Sequence, residues 1–323
     1  MRSKRLADSA WCGAVVAGVF LLARRPDLPT AALLLAALVI VPLGVQLILR
    51  QTTDRAAQRL LQIALRCSLP AALALVAASM VPVGSLSLVL TVPWIAVTAI
   101  LAAAGLRRFV ARAEKFTAAH QLAFDIGLVL IAIGGAWVGM WRWGAWPGSF
   151  PPVIAELTAV HFHFAGFALP IIAGHVVACL KSRLAETVVP VLAALTLLLA
   201  VGITWSPLLE VTTAVGVAWF AATAGILQLK VAFSETSQAD VMSLLAFSAV
   251  ALLCGMGLAM GYAVGEYVGS LQGREAYSGG GWLDVPTMIR LHGATLAFGY
   301  ALIGMLAVSL GGGSPYRTTN NDG

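Results

Sequence analysis

Residues 30–49 read TAALLLAALVIVPLGVQLIL, twenty positions without one charged side chain. A helix of about 20 apolar residues spans the hydrocarbon core of a bilayer, since each residue adds about 1.5 Å of rise. The rest of the chain is similar: of its 323 residues 60% are hydrophobic and 11% charged, and the mean hydropathy is +0.91. A soluble protein of this composition would expose large apolar patches and aggregate. The composition therefore predicts an all-α, polytopic transmembrane helix bundle.

Ten apolar segments are long enough to cross the membrane, and we expect them to form a single transmembrane domain over residues 1–323. The first is predicted to be a retained helix, because no A-x-A-like cleavage site follows its apolar run. The predicted spans are residues 6–23, 30–49, 60–80, 86–106, 120–141, 153–180, 187–205, 208–229, 241–264 and 286–310.

The distribution of Lys and Arg between these spans predicts the orientation of the chain. If the amino terminus is inside, fourteen basic residues lie at inner ends and five at outer ends. The positive-inside rule then places both termini in the cytoplasm of a multi-pass protein of the cell membrane. These basic residues also account for the net charge of +6, so we expect the lipid bilayer as partner and no nucleic acid.

Polar side chains inside the predicted spans are candidate functional residues, because lipid offers them no hydrogen-bond partner. Three of the five histidines fall at one depth in the outer half: His161, His163 and His292. The other polar candidates are spread over three of the predicted spans or their ends: Arg142, Glu156, Arg290, Asp125 and His175.

His161 and His163 lie two residues apart in AVHFHFAGFALP, residues 159–170. On a helix such residues point about 200° apart, so the pair cannot chelate one ion and must serve two different neighbours. Two metal centres side by side, each taking one axial imidazole, fit this geometry, since neutral imidazole is a good ligand for haem iron. Hydrogen-bonded histidines that hold helices together are the alternative.

AVHFHFAGF resembles the helix of haem-copper oxidase catalytic subunits whose first His binds the high-spin haem and whose second binds the low-spin haem. RLHGATLAFGY, residues 290–300, resembles the helix that supplies the opposite axial His. The resemblance implies that His163 and His292 sandwich a haem b, while His161 faces a second haem, a copper ion or an empty pocket. The adjacent His-His pair and the His-Pro-Glu-Val-Tyr stretch of that family's copper site are absent from the sequence, so oxygen reduction is not expected.

Two arginines near the predicted outer boundary extend this hypothesis. Arg142 and Arg290 are candidates to hold the haem propionates, because a guanidinium binds a carboxylate through two parallel hydrogen bonds. Electron transfer or gas-ligand chemistry would follow from such a site, together with a redox partner.

ELTAVHFHFAGFALP followed by a late HG helix resembles the YndJ-like membrane proteins. Some proteins of that group carry a transporter label. The resemblance therefore implies a second class of function, a proton- or substrate-coupled path through Glu156, His161, His163 and Asp125, with a small-molecule ligand. A structural subunit whose histidines only pack is the third class. The sequence contains neither HExxH nor clusters of HxxxH, which excludes zinc proteases and di-iron hydroxylases.

Overall fold

The computed structural model describes residues 13–18, 23–24, 26–112, 119–148, 150–180, 182–234, 239–274 and 283–311. Within these ranges nine helices are long and apolar enough to cross a membrane, and no strand is present. They are α1 (Leu28–Arg50), α2 (Arg55–Ser79), α3 (Ser85–Ala111), α4 (Ala119–Trp143), α5 (Pro152–Cys179), α6 (Arg183–Trp205), α7 (Pro207–Ala232), α8 (Ala239–Leu271) and α9 (Val285–Leu310).

These helices confirm the all-α, polytopic class, and each of them overlaps one of the ten predicted spans. The first predicted span, residues 6–23, lies largely outside the described residues, of which 13–18 and 23–24 are helical. The cytoplasmic position of the termini stays a prediction.

Several helices begin or end outside the predicted bounds, because capping rather than hydropathy sets their ends. α2 begins five residues early, at Arg55, where the Asp54 side chain accepts a hydrogen bond from the backbone N–H of Ala57 at 2.8 Å. α8 continues to Leu271, seven residues beyond its apolar segment. Hydropathy alone therefore does not predict where a helix ends when its last turn is polar.

The bundle is built around α1 and α5. Of the 18 consecutive residues that are most apolar in each helix, 89% are buried in α1 and 78% in α5, but only 22% in α6. On one side α2, α3 and α4 pack in chain order, and α4 contacts α5; on the other, α6 to α9 pack in chain order, and α9 contacts α1 and α5. Large apolar side chains such as Val89, Trp219 and Phe247 are exposed on the periphery, as expected for surfaces that face lipid.

Both central helices contain a π-helical turn immediately before an internal proline. Residues Ala36–Ile40 of α1 precede Pro42, and Phe164–Ala168 of α5 precede Pro170. Proline lacks an N–H and its ring clashes with the carbonyl four residues back, so a widened turn relieves that crowding. α5 thus runs continuously past Pro170 as a single helix.

Candidate functional site

His161 of α5 and His292 of α9 face each other across a helix interface. Their ring centroids are 6.3 Å apart and the ring planes differ by 27°. His161 lies one turn before the π-helical segment of α5, and His292 lies within a π-helical segment of α9, Ile289–Gly293. π-helical turns inside α-helices occur frequently at functional sites, because the extra residue re-aims the side chains beside it.

One nitrogen of each ring is hydrogen-bonded to a backbone carbonyl oxygen. The Nδ1 of His161 lies 2.7 Å from the carbonyl oxygen of Leu157, and the Nδ1 of His292 lies 2.8 Å from that of Gly255 in α8. A carbonyl oxygen only accepts, so Nδ1 carries the proton in both rings and Nε2 keeps its lone pair. No hydrogen bond to either Nε2 is found among the described residues. The pair therefore offers two neutral ligand nitrogens on neighbouring helices.

His163 is in a different place and both of its nitrogens are occupied. The ring is fully buried; its Nδ1–H donates to the carbonyl of Ala159 at 2.8 Å, and its Nε2 accepts from the indole N–H of Trp94 at 3.0 Å. The two rings stack with centroids 5.9 Å apart, and Gly134 lies so close that a Cβ there would come within 2.8 Å of the His163 Nδ1. His163 is thus a packed, hydrogen-bonded residue between α3 and α4.

The structure does not bring the predicted pair, His163 and His292, together. Helical geometry did place His161 and His163 on opposite flanks, as expected, but the partner of His292 is His161. The choice of flank depends on which helix packs on each side of α5, and this does not follow from spacing within α5.

Space is available beside the His161–His292 pair. His161 is exposed on the surface of the bundle and His292 is partly buried. A Cβ added to Gly293 would meet no atom within 4 Å, and the neighbouring Leu291 is 48% exposed. The two rings thus lie at an open interface between α5, α8 and α9.

Arg142 does not serve the histidine pair. Its Nε donates to the hydroxyl of Ser87 at 2.6 Å, and its Nη2 donates to the carbonyls of Ala78 and Val81. The guanidinium therefore closes the carboxyl end of α2 against α3 and α4, and its predicted role with haem propionates lacks support in these contacts. Arg290 is exposed on α9 and donates only to the Thr287 hydroxyl at 3.4 Å among the described partners.

Asp125 lies in a buried ionic cluster at the end of the bundle where α3 ends and α4 begins. Its two carboxylate oxygens accept from Arg108 at 2.7 Å and from Arg112 at 2.6 Å. Arg108 also donates to the Thr52 hydroxyl and to the side-chain oxygen of Gln121. Asp125 thus joins α3 and α4, and through Arg108 it is linked to the segment after α1.

The last two polar candidates have simpler surroundings. The buried Glu156 accepts a hydrogen bond from the Thr30 hydroxyl at 3.1 Å, which ties α5 to α1. His175 is partly buried near the end of α5, and no hydrogen bond to it is found within the described ranges. Neither residue contacts the His161–His292 pair through a hydrogen bond of the described set.

Two residues of these clusters were missed from the sequence. Trp94 is fully buried near the middle of the predicted span 86–106, far from the boundaries where membrane tryptophans usually lie, and that position was the available signal. Arg108 was counted as an arginine at a helix end, yet it is 6% exposed. Hydropathy does not predict that Arg108 is buried, because the burial depends on its ion pair with Asp125.

A metal site made of protein ligands alone is not found in the part of the chain that the structure describes, since no three His, Cys, Asp or Glu residues group there. Structural zinc takes four protein ligands, so two histidines do not suffice for it. Haem iron needs only axial ligands from the protein, because the porphyrin supplies the other nitrogens. Two histidines would therefore suffice as the protein ligands of a haem.

The pattern of the family described as YndJ-like protein matches residues 31–300, which include both histidines of the pair. The chain belongs to that family. A relative from Bacillus subtilis (strain 168), named "Uncharacterized membrane protein YndJ", is 27% identical over 301 residues. The matched region is 92% of this chain and 52% of that relative, so the chain spans about half the length of the relative it matches. No solved structure matches the chain significantly.

Membership of the YndJ-like family confirms the resemblance found in the sequence. The relative's name describes a membrane protein, in agreement with the nine apolar helices. The family name gives no chemistry, so a function must be argued from the site.

Proposed function

We propose that this YndJ-like membrane protein binds a haem b through His161 and His292 and serves in electron transfer. The observation that carries the proposal is the 6.3 Å between the two ring centroids. If both Nε2 atoms pointed at one metal from opposite sides, two metal–nitrogen bonds of about 2.0–2.1 Å and about 1.1 Å from each nitrogen to its ring centre would place the centroids about 6.3 Å apart.

The protonation of the two rings supports the same role. Ligating histidines typically donate their other ring N–H to a carboxylate or a backbone carbonyl, which fixes the tautomer and the direction of the ring. His161 and His292 both donate Nδ1–H to a backbone carbonyl. The chain thus holds both imidazoles neutral, with Nε2 as the ligand atom.

The surroundings of the pair fit a flat cofactor. The space over Gly293 and the exposure of His161 leave room beside the rings without moving a buried side chain. Arg290, two residues before His292 and exposed, is the remaining candidate to bind a propionate. Arg142 is not a candidate for that role, because its donors are engaged by the Ser87 hydroxyl and by the carbonyls of Ala78 and Val81 at the end of α2.

The chemistry follows from the number of ligands. A haem supplies one-electron transfer when bound. Ligation by both His161 and His292 would favour electron transfer over gas-ligand chemistry. The buried position of His163 between Trp94 and Ala159 gives no support to a second centre on that flank.

Transport is the weaker candidate, because its predicted path is interrupted. Asp125 is neutralised by Arg108 and Arg112, and both nitrogens of His163 are engaged. Among the described residues no hydrogen bond joins either of them to His161.

Absorption spectra of the detergent-purified protein, oxidised and reduced with dithionite, test the proposal. We expect a Soret band in protein from haem-replete cells, and its loss in His161→Ala and in His292→Ala. His175→Ala is the matched control, since His175 lies on the same helix as His161 and outside the pair; it should keep the band. His163→Ala should also keep the haem, although it destabilises the fold.

Two results would overturn the proposal. One is a colourless, well-folded preparation that also fails to bind added hemin. The other is a Soret band that survives in His161→Ala but disappears in His163→Ala and in His292→Ala, which would restore the pairing predicted from the sequence.

A further inference from the structure

The two histidines of the pair are oriented by different kinds of contact. The Nδ1–H of His161 donates to the carbonyl of Leu157, four residues back on the same helix, so α5 itself fixes the direction of this ring. The Nδ1–H of His292 donates at 2.8 Å to the carbonyl of Gly255, which lies on α8, 37 residues away in the chain. The direction of the His292 ring therefore depends on the distance between α8 and α9.

α9 approaches α8 closely at Gly255 because this residue has no side chain. Gly255 is buried, and a Cβ atom built on it would lie 2.5 Å from the Cδ2 and 2.8 Å from the Cγ of Leu296. Leu296 follows His292 by four residues, so both side chains lie on the side of α9 that faces α8. Carbon atoms in van der Waals contact are about 3.5–4.0 Å apart, so a side chain at position 255 would push Leu296 away by about 1 Å.

Further along the two helices, other contacts hold α8 and α9 at the same short distance. A Cβ atom on Gly299 would lie 2.9 Å from the Cβ of Ala251, and the Ser248 hydroxyl donates to the carbonyl of Tyr300 at 2.9 Å. Because these contacts fix the middle of α9, extra volume at position 255 is taken up at the end of α9 that carries His292.

We propose that Gly255 is a positioning residue of the histidine pair, which lets α9 come close enough to α8 to keep the His292 Nε2 within reach of a metal bound by His161. This inference rests on the proposed binding of haem. A metal–ligand distance tolerates a change of about 0.2 Å, so a displacement of about 1 Å removes His292 from the metal. One axial position is then open to a gas, and Gly255 thus restricts the site to electron transfer.

Titration of the cofactor-free full chain with hemin tests this with the same substitution at two positions of α8. Gly255→Ala should weaken hemin binding about 10–100-fold, the usual effect of losing the hydrogen-bond partner of a ligating histidine. Its reduced form should bind carbon monoxide, which the wild type should not bind. Gly257→Ala is the matched control and should behave as the wild type, since Gly257 is exposed and a Cβ atom there would meet no atom within 4 Å.

A second substitution separates crowding from any other effect of the added methyl group. Leu296→Ala removes the atoms that a Cβ at position 255 would contact. The Gly255→Ala, Leu296→Ala double variant should therefore bind hemin as tightly as Leu296→Ala alone. Because the double variant is not crowded, it gives a result even if Gly255→Ala fails to fold.

The tautomer of His292 provides a measurement that needs no haem. Nitrogen NMR spectra of the cofactor-free protein, labelled at histidine, should place the His292 proton on Nδ1 in the wild type and in Gly257→Ala, with the signal assigned by its absence in His292→Ala. In Gly255→Ala part of the proton should move to Nε2. If the wild type binds no hemin, the proposed function fails, and the tautomer alone decides the role of Gly255.

Three outcomes refute the proposal. They are a His292 tautomer that Gly255→Ala leaves unchanged, a hemin affinity of Gly255→Ala equal to that of a hemin-binding wild type, and a double variant that binds hemin no better than Gly255→Ala. The first two would show that the Leu296 side chain turns aside, and the third that crowding is not the cause of the loss.

Discussion

Replacing Trp94 with Phe removes one hydrogen bond from the interior of the bundle while it keeps an aromatic ring in place. Trp94 and His163 are both fully buried, and the indole N–H is the donor to the His163 Nε2 at 3.0 Å. The other ring nitrogen stays bonded to the carbonyl of Ala159. After the substitution the Nε2 has no donor and no access to water, so the variant isolates the cost of one orphaned acceptor.

The expected loss follows from two magnitudes. A buried polar group without a partner costs about 1–3 kcal/mol in soluble proteins. Hydrogen bonds between membrane helices average about 0.6 kcal/mol and reach about 1.7, because the unfolded state in lipid also finds partners. Because Phe is also smaller than Trp, some packing around the ring is lost as well. We expect Trp94→Phe to lower the free energy of unfolding by about 1–2 kcal/mol.

Reversible unfolding in mixed micelles with increasing SDS, followed by far-ultraviolet circular dichroism, measures this loss. A double-mutant cycle with His163→Leu separates the hydrogen bond from the lost volume, and a coupling of about 0.6–1.7 kcal/mol is expected. Trp219→Phe is the control, since Trp219 is 72% exposed on the periphery. A coupling indistinguishable from zero would refute the assignment of Trp94 as the partner of His163. The Soret band of Trp94→Phe should be unchanged, whereas its loss would place the pair at the cofactor.

Three further substitutions probe other contacts in the same unfolding assay. Asp125→Asn leaves Arg108 buried without a counter-charge and should cost about 3–5 kcal/mol; a loss below about 1 kcal/mol, typical of exposed pairs, would contradict its burial. Gly134→Ala puts a Cβ within 2.8 Å of a buried imidazole nitrogen and should cost about 1–3 kcal/mol, whereas an unchanged stability would show that the ring can move. Asp54→Asn tests pH dependence outside the membrane: the Arg107 guanidinium holds the pKa of the Asp54 carboxyl below its usual 3.8. A lowered pKa stabilises the fold above the unfolded value, and this stability is lost as pH falls through the folded value. The wild type should therefore exceed Asp54→Asn in Tm at pH 7, and the difference in Tm should shrink as pH falls below 3.8.

The number and place of the spans could be predicted because the bilayer imposes one simple requirement. Each span must be about 20 residues long and apolar, and segments such as residues 30–49 satisfy this with no reference to their neighbours. Helix ends could not be placed as well. The caps at Asp54, Ser182 and Ser206 are single hydrogen bonds that extend helices through polar residues.

For the polar residues, the sequence predicts which ones are candidates but not which residues they contact. Their presence inside the spans marked them as candidates, and all but one of those described have a defined partner or a place in the pair. The partners themselves could not be predicted, because Trp94 lies on another helix than His163, 69 residues away, and Arg108 lies on another helix than Asp125, 17 residues away. A contact between distant helices depends on packing that no local pattern records.

For His161 and His163, too, one part of the arrangement follows from the sequence and another only from the packing of the helices. Spacing alone sends His161 and His163 to opposite flanks of α5, because a helix turns about 100° per residue and this holds in any surroundings. Which flank meets His292 depends on how α9 packs against α5 and α8, with the His292 ring held by the carbonyl of Gly255. The direction of a side chain on its helix follows from nearby residues, whereas the residue that it contacts depends on how the helices of the bundle pack together. For this protein that difference moves the candidate ligand pair from His163 with His292 to His161 with His292.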